Sequence, residues 1–239
     1  MTLQSITPPI FNLSRLCRRL RIDTEDPQNL MYRKLIPQLQ AWMKEHIQIY
    51  SFSCMESHQF TTDISAVDSC RYQILSLCTV IESESASEEN LAKETGLSSK
   101  EPLHFEGPHG HDALAWLISQ EKYMEAYLLG EMFNECLFSA SNQVIRKLAG
   151  TLEEKGSFVT CRYAAGEEGV PLSNQKKYLD ILKKESPSDI PVNIMDSGML
   201  LPQHTILFVY GADDNKPGIS LEHDCRTCRK TGCAFRIMF

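Results

Sequence analysis

The sequence lacks the features of several large protein classes. No apolar run approaches the roughly 18 residues of a membrane-spanning helix. The N-terminus carries two prolines ahead of a cationic segment, which is not the pattern of a secretory signal. The chain is also not basic, because 31 acidic residues outnumber 24 basic ones and the formal net charge is -7. Since that average field repels a phosphate backbone, general nucleic-acid binding is disfavoured. With neither a membrane span nor a secretory signal in the sequence, a soluble cytoplasmic protein is expected.

Motifs of the common enzyme classes are missing as well. The sequence has no P-loop, no nucleophile elbow, no Ser/His/Asp order and no paired-carboxylate motif. Its hydrophobic content of 42% and charged content of 23% are ordinary for a folded domain, so disorder is not expected. The composition therefore predicts a globular protein without a recognisable nucleophilic or acid–base centre.

Cysteine is abundant, with nine residues in 239. An odd number of cysteines in a chain of this length does not fit a disulfide framework. Scattered thiols are typical of small buried hydrophobic residues in a reducing compartment. The scattered cysteines are Cys17, Cys54, Cys70, Cys78, Cys136 and Cys161.

The other three cysteines, Cys225, Cys228 and Cys233, form a C-x2-C-x4-C cluster near the C-terminus. Thiolates at this spacing can converge on zinc or an iron–sulfur cluster. A closed zinc site needs a fourth ligand, for which Cys161 and His223 are the candidates. Two alternatives stay open: the basic neighbours would favour reactive thiolates, or the tail is inert.

Three further histidines, His104, His109 and His111, lie in a loop rich in proline and glycine. Their spacing is one that a metal could use. Without a nearby carboxylate framework, such histidines are more often solvent-facing or structural.

The hydrophobic periodicity predicts an α+β fold with a mixed or antiparallel sheet. We expect residues 1–105 to form an N-terminal helical and strand region packed on the same domain as residues 106–239, in one continuous domain. The predicted helices are Leu30–Ile47, Ala113–Leu152 with a break near Ser119–Glu121, and a helix capped by Ser173 that ends near Lys184. The predicted strands are Cys70–Ile81, Phe158–Tyr163, Val192–Leu200, His204–Tyr210 and Ala234–Phe239.

The segment from Cys161 to Leu182 is the most informative for function. It predicts a strand that carries Arg162, a connection of small residues and glycines, and a helix. Small residues let a ligand approach the main chain closely, and an arginine can bind a carboxylate through two parallel hydrogen bonds. In the alternative interpretation the glycines only satisfy the geometry of a strand–helix turn.

The order of residues in this segment resembles the S-adenosylmethionine-binding segment of the reactivation (activation) domain of cobalamin-dependent methionine synthase. Arg162, Ala164 and Gly166 match the arginine, small and glycine positions, whereas Glu167 stands where the family has a tyrosine. The resemblance covers about residues 158–236. Stand-alone relatives share the residues Gly169, Pro171, Leu172, Ser173 and Gln175, and often end in three cysteines and an arginine, here Cys225, Cys228, Cys233 and Arg236.

This resemblance implies a fold, a ligand and a partner. Arg162 would hold the methionine carboxylate, Ala164 and Gly166 would keep the main chain close to the ligand, and the carboxylate of Glu167 would attract its sulfonium or ammonium group. The implied role is reductive methylation, in which an inactive corrinoid regains activity through one electron and the methyl group of S-adenosylmethionine. No corrinoid-binding module is visible, so cobalamin would reside on a partner corrinoid protein or methyltransferase, for which this chain is an accessory or a split methionine synthase component.

A second hypothesis belongs to another class. The chain would be a non-catalytic metal- or iron–sulfur-binding protein that retains the scaffold and has lost S-adenosylmethionine binding. Glu167 and the three-cysteine cluster favour this alternative.

Overall fold

The computed structural model describes residues 2–7, 12–23, 26, 29–56, 60–82, 112–167, 170–186 and 189–219. The helices in these residues are α1 (Leu13–Leu20), α2 (Leu30–His46), α3 (Ser65–Asp68), α4 (Asp112–Ser119), α5 (Tyr123–Glu153) and α6 (Asn174–Glu185). The strands are β1 (Thr2–Thr7), β2 (Ile47–Glu56), β3 (Tyr72–Glu82), β4 (Phe158–Ala164), β5 (Asn193–Ile194), β6 (Leu200–Leu201) and β7 (Thr205–Asp213). The predicted α+β class is confirmed.

Strand β7 organises the main sheet. The five strands follow the order β1-β2-β3-β7-β4, and β7 pairs antiparallel with both β3 and β4. Tyr210 is paired with Ile74 on one side and with Arg162 on the other. Gly211 is paired with Gln73 and Cys161 in the same way. Two distant parts of the sequence are therefore held on either side of one strand.

The chain forms two compact units, and each is assembled from separate stretches of sequence. The first comprises residues 1–7, 50–79 and 140–222, and the second comprises residues 8–49, 80–139 and 223–239. Neither unit is a single continuous stretch of chain. The candidate site residues of β4 and the following turn all belong to the first unit.

One face of the sheet in the first unit is covered by α6. Tyr178, Leu179 and Leu182 follow helical spacing and are fully buried against the alternating apolar residues of the strands. The strand residues on this face include Phe52, Leu75, Leu77, Leu207 and Val209. The inward face of α6 is the one that the sequence pattern predicts.

The second unit buries an apolar stripe on α2 and another on the N-terminal half of α5. Two partly buried ion pairs join α1 to α5: Arg15 Nε lies 2.7 Å from Glu135 Oε1, and a nitrogen of Arg19 lies 2.7 Å from Glu131 Oε2. Because Glu135 is buried, its charge needs this partner. The buried residues of α2 include Leu35, Ile36, Leu39, Trp42 and Met43.

The predicted long helix is confirmed as two helices with a break where the sequence indicated it. Helix α4 ends at Ser119, and Glu121 has a φ of 59°, a left-handed conformation that ends the helical path. Apolar residues recur every four positions along α5, and those from Leu128 to Leu148 are buried. The hydrophobic spacing of this segment also predicts Met124 and Tyr127 in the core, but they are 43% and 57% exposed because they lie on the first turns of the helix.

Several sequence-based expectations need correction. Strand β2 was not predicted, although its residues alternate in hydrophobicity over Ile47–Tyr50. The single strand expected over Val192–Leu200 is a short hairpin, β5 and β6, because Gly198 with a φ of 85° turns the chain within it. Ser173 precedes α6 as expected, but its side chain makes no capping hydrogen bond. The strand predicted at Ala234–Phe239 lies outside the described residues.

The hydroxyl group of Tyr178 gives a test of how the first unit holds α6. It donates a hydrogen bond of 2.7 Å to the main-chain oxygen of Thr62, and both residues are fully buried. We predict that Tyr178→Phe lowers the free energy of unfolding by about 1–2 kcal/mol, because the buried carbonyl loses its donor. Urea denaturation measures the change. Tyr123→Phe, at a residue 63% exposed, is the matched control and should shift stability by less than about 0.5 kcal/mol; equal shifts for both variants would contradict the assignment.

Candidate functional site

The connection between β4 and α6 is a turn closed by its own main chain. Gly166 N–H donates to Val170 O at 2.9 Å, Glu167 N–H donates to Ala164 O at 3.1 Å, and Val170 N–H donates to Glu167 O at 2.9 Å. Gly166 has a φ of 86°, which L side chains rarely adopt, so glycine is required here by the backbone. Four predicted site residues, Arg162, Ala164, Gly166 and Glu167, are therefore brought together at the end of one strand.

Arg162 lies on the face of the sheet opposite α6. Its neighbours Cys161 and Tyr163 pack against the α6 core, and side chains alternate along a strand. The guanidinium carbon of Arg162 lies 4.9 Å from the centre of the Phe208 ring, within the range of a cation–π contact. The ring thus fixes the position of a half-buried positive charge.

The guanidinium of Arg162 keeps the capacity to bind an anion. In the part of the chain that the structure describes, no carboxylate forms an ion pair with it. The side chain is half-buried, so part of it retains contact with solvent. A partly desolvated cation that is held in place and unneutralised favours an anionic ligand.

Tyr210 adds a second aromatic group beside Arg162 on the adjacent strand. Burial raises the pKa of Tyr210 well above its ordinary value, while the charge of Arg162 and a hydrogen bond with Ser141 oppose this rise. The phenol is therefore neutral at physiological pH. Its ring lies 6.0 Å from that of Phe208 in an edge-on arrangement, which supports the ring under the guanidinium.

Glu167 is exposed and its carboxylate turns back onto its own strand. Oε2 of Glu167 accepts a hydrogen bond of 3.0 Å from the main-chain N–H of Ala164. The acidic group thus occupies the main-chain donor two residues after Arg162. A ligand that approached this stretch of main chain would meet a negative charge there.

The metal-site predictions fall on residues whose positions are not described. Cys225, Cys228 and Cys233 lie outside the described residues, as do His104, His109, His111 and His223, so a metal role for them stays a prediction. Cys161, the other candidate for a fourth zinc ligand, is described and lies beside Cys70. Across the described ranges, no group of three or more His, Cys, Asp or Glu side chains is placed to hold a metal ion.

Phe208 and Tyr210 were missed as site residues by sequence reasoning. Their alternation in ILFVYG predicts a strand, but only the pairing of β4 with β7 places them beside Arg162.

The described helices contain no segment long and apolar enough to cross a bilayer.

The comparisons with known proteins give structural likeness without a sequence match. No protein family matches this sequence, and no curated protein matches it either. The crystal structure of the MetH reactivation domain bound to AdoHcy superimposes with a TM-score of 0.51 at 7% identity, over 94% of this chain and 82% of that one. The chain has the reactivation-domain fold. At 7% identity the likeness concerns the α+β architecture with its antiparallel sheet, and the activation-domain-like fold implied by the sequence is confirmed at that level.

The turn after β4 can be tested through its glycine. We predict that Gly166→Ala lowers the free energy of unfolding by about 1–2 kcal/mol, because a side chain at a φ of 86° is strained. Gly150, in helix α5 with open space where a Cβ would lie, is the matched control; Gly150→Ala should be neutral or stabilising by up to about 1 kcal/mol. Urea denaturation compares the two. A Gly166→Ala variant as stable as Gly150→Ala would show that the turn does not impose its backbone conformation.

Proposed function

We propose that this chain belongs to the methionine synthase reactivation-domain family and binds S-adenosylmethionine at the end of β4, as a cytoplasmic accessory of a corrinoid-dependent methyltransferase. The observation that carries the proposal is the guanidinium of Arg162, held on the Phe208 ring and without a carboxylate partner among the described residues. The reactivation-domain fold and the match of Arg162, Ala164 and Gly166 to the family segment support it.

Arg162 and the turn at Gly166 would contact such a ligand. Arg162 would bind the methionine carboxylate through its paired N–H groups, and the Phe208 ring would limit its rotation. Gly166 carries no side chain at the turn, and the ligand would approach its main chain beside Leu172, whose Cδ1 would lie 3.4 Å from a Cβ at residue 166. When bound, S-adenosylmethionine supplies a sulfonium methyl group that a reduced corrinoid on the partner protein can accept.

Glu167 defines how this site would differ from the family pattern. Its carboxylate is 3.0 Å from the Ala164 nitrogen at the strand end, where the family has a tyrosine. A negative charge there favours a ligand that carries a positive sulfonium or ammonium group. The chain's own residues would thus select the charged methyl donor over its neutral-sulfur product.

Arg162 is the first residue to test. We predict that Arg162→Met weakens S-adenosylmethionine binding by about 10- to 100-fold, because a charge-assisted pair of hydrogen bonds to the carboxylate is lost. Isothermal titration calorimetry measures the dissociation constant. Lys155→Met, which removes one exposed positive charge from the first unit, is the matched control and should leave affinity unchanged. Absence of heat with the unmodified chain, or equal affinity for Arg162→Met, would refute the proposal.

The charge of Glu167 can be tested separately from its hydrogen bond. Glu167→Gln keeps an oxygen that accepts from the Ala164 N–H but removes the negative charge. We predict that this variant loses severalfold in affinity for S-adenosylmethionine and little for S-adenosylhomocysteine, because only the former carries a sulfonium. Paired titrations with both ligands measure the ratio. Glu154→Gln, at an exposed residue of the same unit, should leave the ratio as it is; an equal loss for both ligands with Glu167→Gln would contradict an electrostatic role.

A further inference from the structure

Two cysteine sulfurs of the first unit meet over one glycine. A methyl group on Gly211 would lie 2.6 Å from Cys70 Sγ and 2.8 Å from Cys161 Sγ, closer than any van der Waals contact allows. Cys161 is paired with Gly211 across β4 and β7, while Cys70 lies between α3 and β3. The missing side chain at residue 211 therefore creates the space in which both thiols sit.

The two thiols share their polar partners. The main-chain oxygen of Ala66 accepts from Cys70 Sγ at 3.1 Å and from Cys161 Sγ at 3.8 Å. The hydroxyl oxygen of Thr160 lies 3.3 Å from Cys70 Sγ and 3.7 Å from Cys161 Sγ. Two sulfurs that share both an acceptor and a hydroxyl are held side by side. They are distant in sequence, because Thr160, which precedes Cys161, lies 90 positions after Cys70.

The two thiols differ in their accessibility to solvent and in their charged neighbours. Cys161 is half-buried and can be reached from solvent, whereas Cys70 is 1% exposed. Lys216 Nζ lies 3.5 Å from Cys70 Sγ and is itself fixed by a 3.0 Å hydrogen bond to Ser69 Oγ. The ammonium group therefore contacts the buried sulfur and helps to hold it in place. One sulfur is thus accessible to solvent, and the other is buried and held beside it.

Cys161 is held as a thiol in the resting state. Burial raises its pKa, and both the nearby Cys70 and a hydrogen bond between the two thiols add to this rise. Two buried cysteines elsewhere differ from this pair: burial raises the pKa of Cys78 to about 12 and that of Cys136 to about 12. They are expected to stay inert.

We propose that Cys70 and Cys161 form an oxidisable dithiol that closes to a disulfide over Gly211 when the chain meets a low-molecular-weight disulfide. The pairing of β4 with β7 and the shared contacts bring the sulfurs together before oxidation.

The reaction balances in two exchange steps. Cys161 loses its proton and attacks one sulfur of the small disulfide RSSR, which forms a mixed disulfide and releases one RS⁻ that takes up the proton. Cys70 then loses its proton and attacks Cys161 Sγ, which forms the Cys70–Cys161 bond and releases the second RS⁻, and this RS⁻ takes up the proton. The two protein thiols are oxidised by two electrons, and RSSR is reduced to two RSH.

Peptide mapping tests the proposal on the full chain. The reduced protein is treated with oxidised glutathione, alkylated without reduction, and digested with trypsin and a glutamate-specific protease. Cleavage after Glu56 and Lys155 isolates each cysteine on its own peptide, residues 57–71 for Cys70 and residues 156–162 for Cys161. We expect these two peptides to appear cross-linked, with a mass two hydrogens below their sum, and to separate on reduction. Folded protein in which both thiols remain alkylatable, or in which Cys161 pairs with a different cysteine, would overturn the proposal.

Variants separate the roles of the residues. Lys216→Met should slow the conversion of the mixed disulfide into the cross-link severalfold, since it removes a contact that positions Cys70 Sγ for this second step. Cys161→Ser should abolish the cross-link and leave Cys70 unmodified by glutathione because it is buried. Cys17→Ser, at a half-buried cysteine of the second unit, is the control and should cross-link at the unaltered rate. Equal rates for Lys216→Met and the unmodified chain would contradict the role given to the ammonium group.

Discussion

The pairing of strand β7 with both β3 and β4 is the constraint on which the rest of the first unit depends. Side chains alternate along β7, so Leu207 and Val209 enter the core beneath α6 while Phe208 and Tyr210 face the other way. A shift of one residue in this register would exchange the two faces. Arg162 would then point into an apolar core, where an unpaired charge is strongly unfavourable. The register and the chemistry of the site are therefore fixed together.

Arg162 and Cys161 are adjacent in sequence, but their side chains lie in different surroundings. The guanidinium lies on the aromatic face with Phe208, and the thiol lies on the opposite face beside Cys70. A strand is the element that can separate two neighbouring residues in this way. This explains how one short segment can contribute to a ligand site and to a dithiol without either group interfering with the other.

Sequence reasoning predicted the elements with strong periodicity and missed those defined by pairing. The break between α4 and α5, the buried face of α6 and strands β3 and β4 follow from hydrophobic spacing and turn residues. The sequence pattern predicts one strand where the structure has the hairpin of β5 and β6, because the positive φ of Gly198 cannot be recognised from the sequence. Phe208 and the contact of Cys70 with Cys161 depend on long-range register, which no local pattern contains.

Gly211 has a consequence beyond the space that it leaves. Position 211 needs glycine because the sulfur atoms of Cys70 and Cys161 leave no space for a side chain. The backbone does not impose this need, since the φ of Gly211 lies outside the left-handed region. In related chains, positions equivalent to 70, 161 and 211 should therefore vary as a set: only loss of both cysteines to smaller residues would free position 211 to accept alanine, whereas chains that keep either sulfur should keep the glycine.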